Sequence, residues 1–173
     1  MRDMTQSPSS PNRRSFLTFA SAAAVGAIAF GLTSTGGNAA PAMKPAPLRL
    51  SDAEWRKRLS PQAYAVLRQA ATETPWTSPL NAEHRKGRFL CAGCALPLYA
   101  ADTKFDSGTG WPSFYDHLRG AIRTRQDNSL GMERTEVLCA RCDGHLGHVF
   151  DDGPRPTGLR YCMNGAAMRF EPA

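Results

Sequence analysis

Glu133-Arg-Thr-Glu136-Val-Leu-Cys139-Ala-Arg-Cys142-Asp-Gly-His145-Leu-Gly-His148-Val-Phe150 is the stretch on which the fold turns. Glu133–Cys139 reads as a strand, although its β-branched alternation is only partial, and Gly147–Phe150 reads as a second. Between them lie a Cys-x-x-Cys and an Asp-Gly, which punctuate rather than continue a strand. Short segments of the same kind recur at Arg88–Cys91, Ala121–Arg125, Leu159–Met163 and Ala167–Glu171, each bounded by Gly, Pro, Asp or Asn. Asp106–Gly110, Asp127–Gly131 and Asp151–Gly158 are turn-rich loops. No repeat of 20–50 residues is present. The expectation is one antiparallel β domain.

Upstream the pattern lengthens. Ser51-Asp-Ala-Glu54 has the spacing of a capping box, and Ser60-Pro61 places an N-cap before a proline at the first helical position. Ala63, Val66, Leu67 and Ala70 follow as a short apolar stripe at helical spacing. Two short helices therefore precede the strands, and residues 43–50, with two prolines, read as a linker. The chain of 173 residues suits one ordinary domain in residues 51–173, and its 15 Gly and 13 Pro favour a turn-rich β fold.

Residues 1–42 read as an address. Asn12-Arg13-Arg14-Ser-Phe16-Leu17 precedes a mild Ala/Gly-rich apolar run, then small residues from Gly37 to Ala42. That is the order of an export signal, and the paired arginines resemble the twin-arginine class. The run falls short of the ~20 apolar residues that cross a bilayer. Cleavage is expected between Ala39 and Met43, with the periplasm as destination and no stable membrane insertion of the mature domain; an uncleaved anchor holding the domain on the periplasmic side is the alternative. Taking Arg2, Arg13, Arg14 and Asp3 away lowers the formal charge from +6 to +4. No run of five basic residues occurs, which argues against nucleic acid as a partner.

Five cysteines divide into Cys91/Cys94, Cys139/Cys142 and a solitary Cys162. Two Cys-x-x-Cys pairs can fill a tetrahedral shell around zinc, leaving no position for water, so such a site is structural. Two disulfides or a redox pair are the competing readings, and export to an oxidising compartment favours the first of them. A redox Cys-x-x-Cys is expected once, at a helix start, rather than as two equivalent pairs. Cys162 has chemistry within reach: Arg160 at i−2 and Asn164 at i+2 share its strand face. A cation beside a thiol stabilises the thiolate. His145 and His148 supply groups that exchange protons near neutral pH.

Cys91-x-x-Cys94, Asp102-Thr-Lys-Phe-Asp-Ser-Gly, Gly110-Trp111-Pro-Ser-Phe114, Arg134-Thr-Glu-Val, Gly144-His-Leu-Gly-His-Val-Phe-Asp-Asp-Gly and Arg160-Tyr-Cys162-x-Asn164 together resemble the peptide methionine-R-sulfoxide reductase family, type B. The resemblance covers residues 50–171. It implies a mainly β fold of two antiparallel sheets around a small core, with short N-terminal helices and a structural Zn2+ on Cys91, Cys94, Cys139 and Cys142. It implies Cys162 as the attacking sulfur and a pocket for the substrate methyl group at Trp111 and Phe150. His145, His148 and Asn164 would orient or protonate the sulfoxide oxygen, and Arg160 would favour the thiolate. Substrate would be methionine-R-sulfoxide in proteins, and the protein a monomer. The reductant is expected to be a thioredoxin-like or other external thiol, a recruited zinc cysteine at the cost of the metal being the alternative.

Two positions depart from the family pattern. Thr109 stands where many members carry a resolving cysteine, and Gly165 follows Asn164 where serine is commoner. A zinc-ribbon binding module would explain the four cysteines but leave Cys162, Trp111 and the histidines without a role. A general thiol–disulfide oxidoreductase would need a reducible Cys-x-x-Cys.

Overall fold

The computed structural model describes residues 45–173. The export segment 1–42, with its cleavage region, and residues 43–44 lie outside the described residues. Both expected helices form. In α1 (Asp52–Arg58) the Ser51 hydroxyl accepts from the Glu54 amide while Glu54 Oε2 accepts from the Ser51 amide at 2.7 Å, so two donors are satisfied reciprocally. In α2 (Pro61–Gln69) the Ser60 hydroxyl accepts from the Ala63 amide. Its buried face is Ala63, Tyr64, Val66 and Leu67. Ala70, expected on that stripe, is instead the exposed left-handed cap.

Nine strands follow: β1 (Gly87–Cys91), β2 (Pro97–Ala100), β3 (Lys104–Phe105), β4 (Ser113–Phe114), β5 (Ile122–Asp127), β6 (Arg134–Cys139), β7 (His145–Phe150), β8 (Arg160–Met163) and β9 (Met168–Pro172). All pairings are antiparallel, in a three-stranded sheet β2-β1-β9 and a six-stranded sheet β3-β4-β8-β7-β6-β5. The mainly β, two-sheet architecture is therefore as expected. The six expected strands are present with ends displaced by one or two residues. β2, β3 and β4 are additional to them. β3 and β4 have two residues each, too few for a periodic pattern, and exist because β4 pairs with β8.

Between the sheets lies an aromatic core. Phe89, Tyr99 and Phe114 are fully buried; Tyr99 stacks on Phe114 with centroids 4.3 Å apart, and Phe89 meets Phe114 edge-on at 4.9 Å. The Tyr99 hydroxyl, which burial would otherwise orphan, donates to Met163 Sδ at 3.0 Å. Truncating any of these rings costs about 3–5 kcal/mol. Residues 45–50, expected as a linker, are tied down: the Leu48 amide donates to the Arg141 carbonyl at 2.7 Å, and Leu48 and Leu50 pack on the core. Among the described residues no helix is long and apolar enough to cross a membrane.

Candidate active site and four-cysteine cluster

Cys91 ends β1, Cys139 ends β6, and the turns after them carry Cys94 and Cys142. All four are buried, none is in a disulfide, and their sulfurs lie within 4.8 Å of one another. Cys91 and Cys142 are 3.6 Å apart and Cys94 and Cys139 3.5 Å. A disulfide needs about 2.05 Å, whereas four sulfurs ~2.3 Å from a common centre sit roughly 3.8 Å apart. The separations fit the second arrangement. The cluster is consistent with a structural zinc site tying the smaller sheet to the larger one.

The second site is built by register. Ser113 of β4 and His148 of β7 flank Cys162 of β8; Glu136 of β6 lies opposite His148, and Arg125 of β5 opposite Glu136. Register partners share a face, so five strands present a hydroxyl, a thiol, an imidazole, a carboxylate and a guanidinium in one row. An odd spacing would put His145 and His148 on opposite faces of a regular strand. A bulge prevents this: Val137 pairs with Gly147 but Leu138 with His145, so Leu146 is skipped. Both imidazoles then reach the Glu136 side, 5.4 Å apart. Gly147 is required there, because a Cβ would overlap the Cys162 carbonyl oxygen.

Cys162 opens into a cavity of about 140 Å³ lined by Thr72, Trp111, His148, Phe150 and Asn164, together with Arg134 and Gly147. That is below the 300 Å³ of a typical small-molecule site and suits one side chain. A larger basin of about 560 Å³ contains neither a cysteine nor a histidine, although it shares Arg134 and Phe150, so the smaller cavity is the chemical one. The structure thus brings Cys162, His148, Asn164, Trp111 and Phe150 together. His145 is not on the wall. It is 4% exposed, behind His148, where Nδ1 donates to Glu136 Oε1 at 2.7 Å. Burial pushes its pKa down, outweighing the Glu136 bond, and Nε2 has no protein partner. His148 Nε2 donates to Asp127 Oδ2 at 2.8 Å, and Arg134 binds the same oxygen at 2.8 Å. The Ser129 hydroxyl and amide, with His148, hold the Asp127 carboxyl well below its ordinary range.

Arg160 shares the face of Cys162, as expected from the i−2 spacing, but does not dominate its titration. Burial pushes the Cys162 thiol up; the Thr109 hydroxyl and then Arg160 pull it down, and burial prevails. Arg160 thus favours the thiolate, as expected, but against the larger opposing effect of burial. Arg160 is also held bidentate by Asp152 at 2.8 and 2.7 Å and lies 4.4 Å over the Phe150 ring. Much of its field is spent on a carboxylate before it reaches sulfur. Thr109 is 3.8 Å from Cys162 Sγ, and its hydroxyl continues through Ser107 to Ser113 in contacts of 2.8 and 2.7 Å. Position 109 therefore faces the sulfur with a hydroxyl.

Several residues at the site escaped the residue-level reading. Glu136 and Asp127 anchor the two histidines, and Thr72 lines the wall. Glu136 carried a signal, an acidic residue inside an apolar strand ending at a buried cysteine. Thr72 is 90 residues from Cys162, and nothing local marks it.

The sequence profile of the SelR domain matches residues 59–172. The chain is similar to proteins named peptide methionine sulfoxide reductase MsrB from three bacteria. Identity to that of Leptospira interrogans is 52% over 122 residues, covering 70% of this chain and 93% of the relative. For Agrobacterium fabrum it is 54%, covering 70% and 91%. For Leifsonia xyli subsp. xyli it is 56%, covering 70% and 89%. On this match and these identities, the chain belongs to the SelR-domain, MsrB family of peptide methionine sulfoxide reductases.

Proposed function

We propose that this protein reduces methionine-R-sulfoxide in oxidised proteins to methionine, with Cys162 as nucleophile. The observation that carries the reading is the one-side-chain cavity into which Cys162 opens, lined also by His148, Asn164, Trp111 and Phe150. A methionine sulfoxide side chain has one apolar methyl, one basic oxygen and an electrophilic sulfur. Seated with the methyl on the aromatic rings and the oxygen on the His148/Asn164 side, only one epimer directs its sulfur at Cys162.

Cys162 attacks the sulfoxide sulfur as the thiolate, which Thr109 and Arg160 favour against burial, while the sulfoxide oxygen takes up the proton the thiol gave up. His148, oriented by Asp127, exchanges protons with the oxygen. Collapse releases methionine and leaves Cys162 as a sulfenic acid, which carries the transferred oxygen. An external thiol condenses with it, releasing water and forming a mixed disulfide; a second thiol then returns Cys162 to its reduced form. No cysteine of the chain remains for this step if the other four hold zinc, so the reductant is of the thioredoxin-like, external class. Cys91, Cys94, Cys139 and Cys142 would hold that zinc, which with four thiolates supplies cross-linking and no Lewis acidity toward substrate.

The protein acts as a monomer in the periplasm, after twin-arginine export and removal of the signal. Its task there is repair of oxidised proteins. The decisive experiment is mass spectrometry of the mature protein after one turnover with R-sulfoxide and no reductant. One added oxygen on Cys162, with zinc retained and methionine released in equal amount, is expected. Equal turnover of the S epimer would break the pocket assignment, and turnover by Cys162→Ser would break the nucleophile assignment.

A further inference from the structure

Glu73 lies away from the sulfur row and is not part of the chemistry above, yet it touches three of the pieces that shape the cavity. It is 6% exposed. Its backbone amide donates to Asn164 Oδ1 at 2.9 Å, and its carbonyl accepts from the Trp111 indole nitrogen at 3.1 Å. Its carboxylate accepts from the Ala166 amide at 2.9 Å and from the Gly165 amide, at the start of the 3-10 turn Gly165–Ala167 that follows Asn164. The residue before it, Thr72, is itself in the wall. Asn164 in turn donates to the Leu146 carbonyl at 3.1 Å, which joins the clamp to β7.

We infer that Glu73 is a positioning residue: its carboxylate locks the segment that holds the Trp111 ring and the Asn164 amide at their working separation. This rests on the functional reading above. A buried carboxylate is costly unless its acceptors are filled, and here the donors are backbone amides. Charge-assisted bonds to ionised acceptors are roughly twice as strong as neutral ones. The lock is thus strongest at the carboxylate, while the contacts it serves are made by the main chain of the same residue. Glutamine at this position offers only one acceptor to two amide donors and turns an N–H pair toward one of them. The segment then loosens, and with it the two surfaces that must fit methyl and oxygen.

The test uses the mature, zinc-loaded protein and two readouts. NMR of the three indole N–H signals, with Trp111 assigned through Trp111→Phe, follows the clamp without turnover. Glu73→Gln should shift the Trp111 signal and speed its hydrogen exchange while leaving Trp55 in place. Steady-state kinetics should show kcat/KM for R-sulfoxide lower by up to about 100-fold, the cost that misplacing a bound group by an ångström can carry. Iodoacetamide alkylation of Cys162 and zinc content should stay at wild-type values. In a Trp111→Phe background, which lacks the indole donor, Glu73→Gln should cost less than in the wild type. Glu73→Asp, which keeps the charge but falls short of the amides, should act in the same direction. An unmoved Trp111 signal with kcat/KM within twofold of wild type overturns the inference, as do strictly additive effects. Unfolding of both Glu73 variants overturns it too, by assigning a purely structural role. Wild-type protein inert toward R-sulfoxide would instead sink the functional reading and leave the indole readout to decide the clamp.

Discussion

Cys139 and Cys162 sit on the same sheet, on strands separated by β7 alone, yet the chain uses them in opposite ways. Cys139 is fully buried and its neighbours are three other sulfurs. Cys162 is half-buried, and its neighbours are a hydroxyl, a guanidinium and an imidazole. A sulfur surrounded by sulfurs is satisfied only by a soft cation and becomes inert once it has one. A sulfur among oxygen and nitrogen donors has nothing to saturate it and stays available to an electrophile. Surroundings, not residue type or strand, separate staple from reagent.

The largest expected break in that contrast is at the staple. Structural zinc supplies roughly 10–16 kcal/mol to small zinc-binding peptides, which matches or exceeds the roughly 5–15 kcal/mol stability of a whole domain. Cys139→Ser, or prolonged chelation, should therefore release zinc and abolish the cooperative unfolding transition seen by circular dichroism. Cys162→Ser should keep zinc and shift unfolding by less than about 1 kcal/mol while turnover disappears. A stable, zinc-free Cys139→Ser would mean the cluster is not a staple.

Next in size is a change in fate at the reagent. Thr109 Oγ1 is 3.8 Å from Cys162 Sγ. Thr109→Cys should give the sulfenic acid an internal partner, so that one turnover ends in a disulfide between the introduced thiol and Cys162. Mass spectrometry should then find two hydrogens lost in place of one oxygen gained. Persistence of the sulfenic acid would show that the two positions cannot close.

The smallest effect concerns the divided loyalty of Arg160. Burial raises the Cys162 pKa, so alkylation should be slow at neutral pH and rise through a midpoint above the ordinary thiol value of about 8.5. The folded state holds this proton more tightly than the unfolded one, so the same burial contributes stability below that pH and loses it as pH climbs through the raised value. Asp152→Asn releases the guanidinium from its carboxylate. The alkylation midpoint should then move down. A midpoint that stays put or rises would show that Arg160 does not act on sulfur.

Much of this could be read from the residues in order. The four cysteines carry their spacing in the sequence, and the helix starts announce themselves through Ser51/Glu54 and Ser60/Pro61, because capping is local chemistry. The site was legible as a set of residue types, Cys162, His148, Trp111, Phe150 and Asn164, but not as an arrangement. The bulge at Val137/Leu138 turns His145 to the same side as His148, and no local pattern encodes a skipped residue. Two-residue strands such as Ser113–Phe114 exist only through their partners. Arg160 looked like a free cation because Asp152, eight residues away across a loop, could not be seen to claim it.

Gly165 shows how such an arrangement limits the changes open to a chain. Any Cβ there would overlap the Ser78 hydroxyl and Cβ, so a serine at 165 is incompatible with Ser78 as it stands. The two positions are epistatic, and the order of events matters. Ser78→Gly first removes only an N-cap hydroxyl on the Leu80 amide, at a cost of about a few tenths of a kcal/mol, and opens the space. Gly165→Ser first must push against a filled one. A chimera that brings a serine at 165 beside Ser78 inherits the collision.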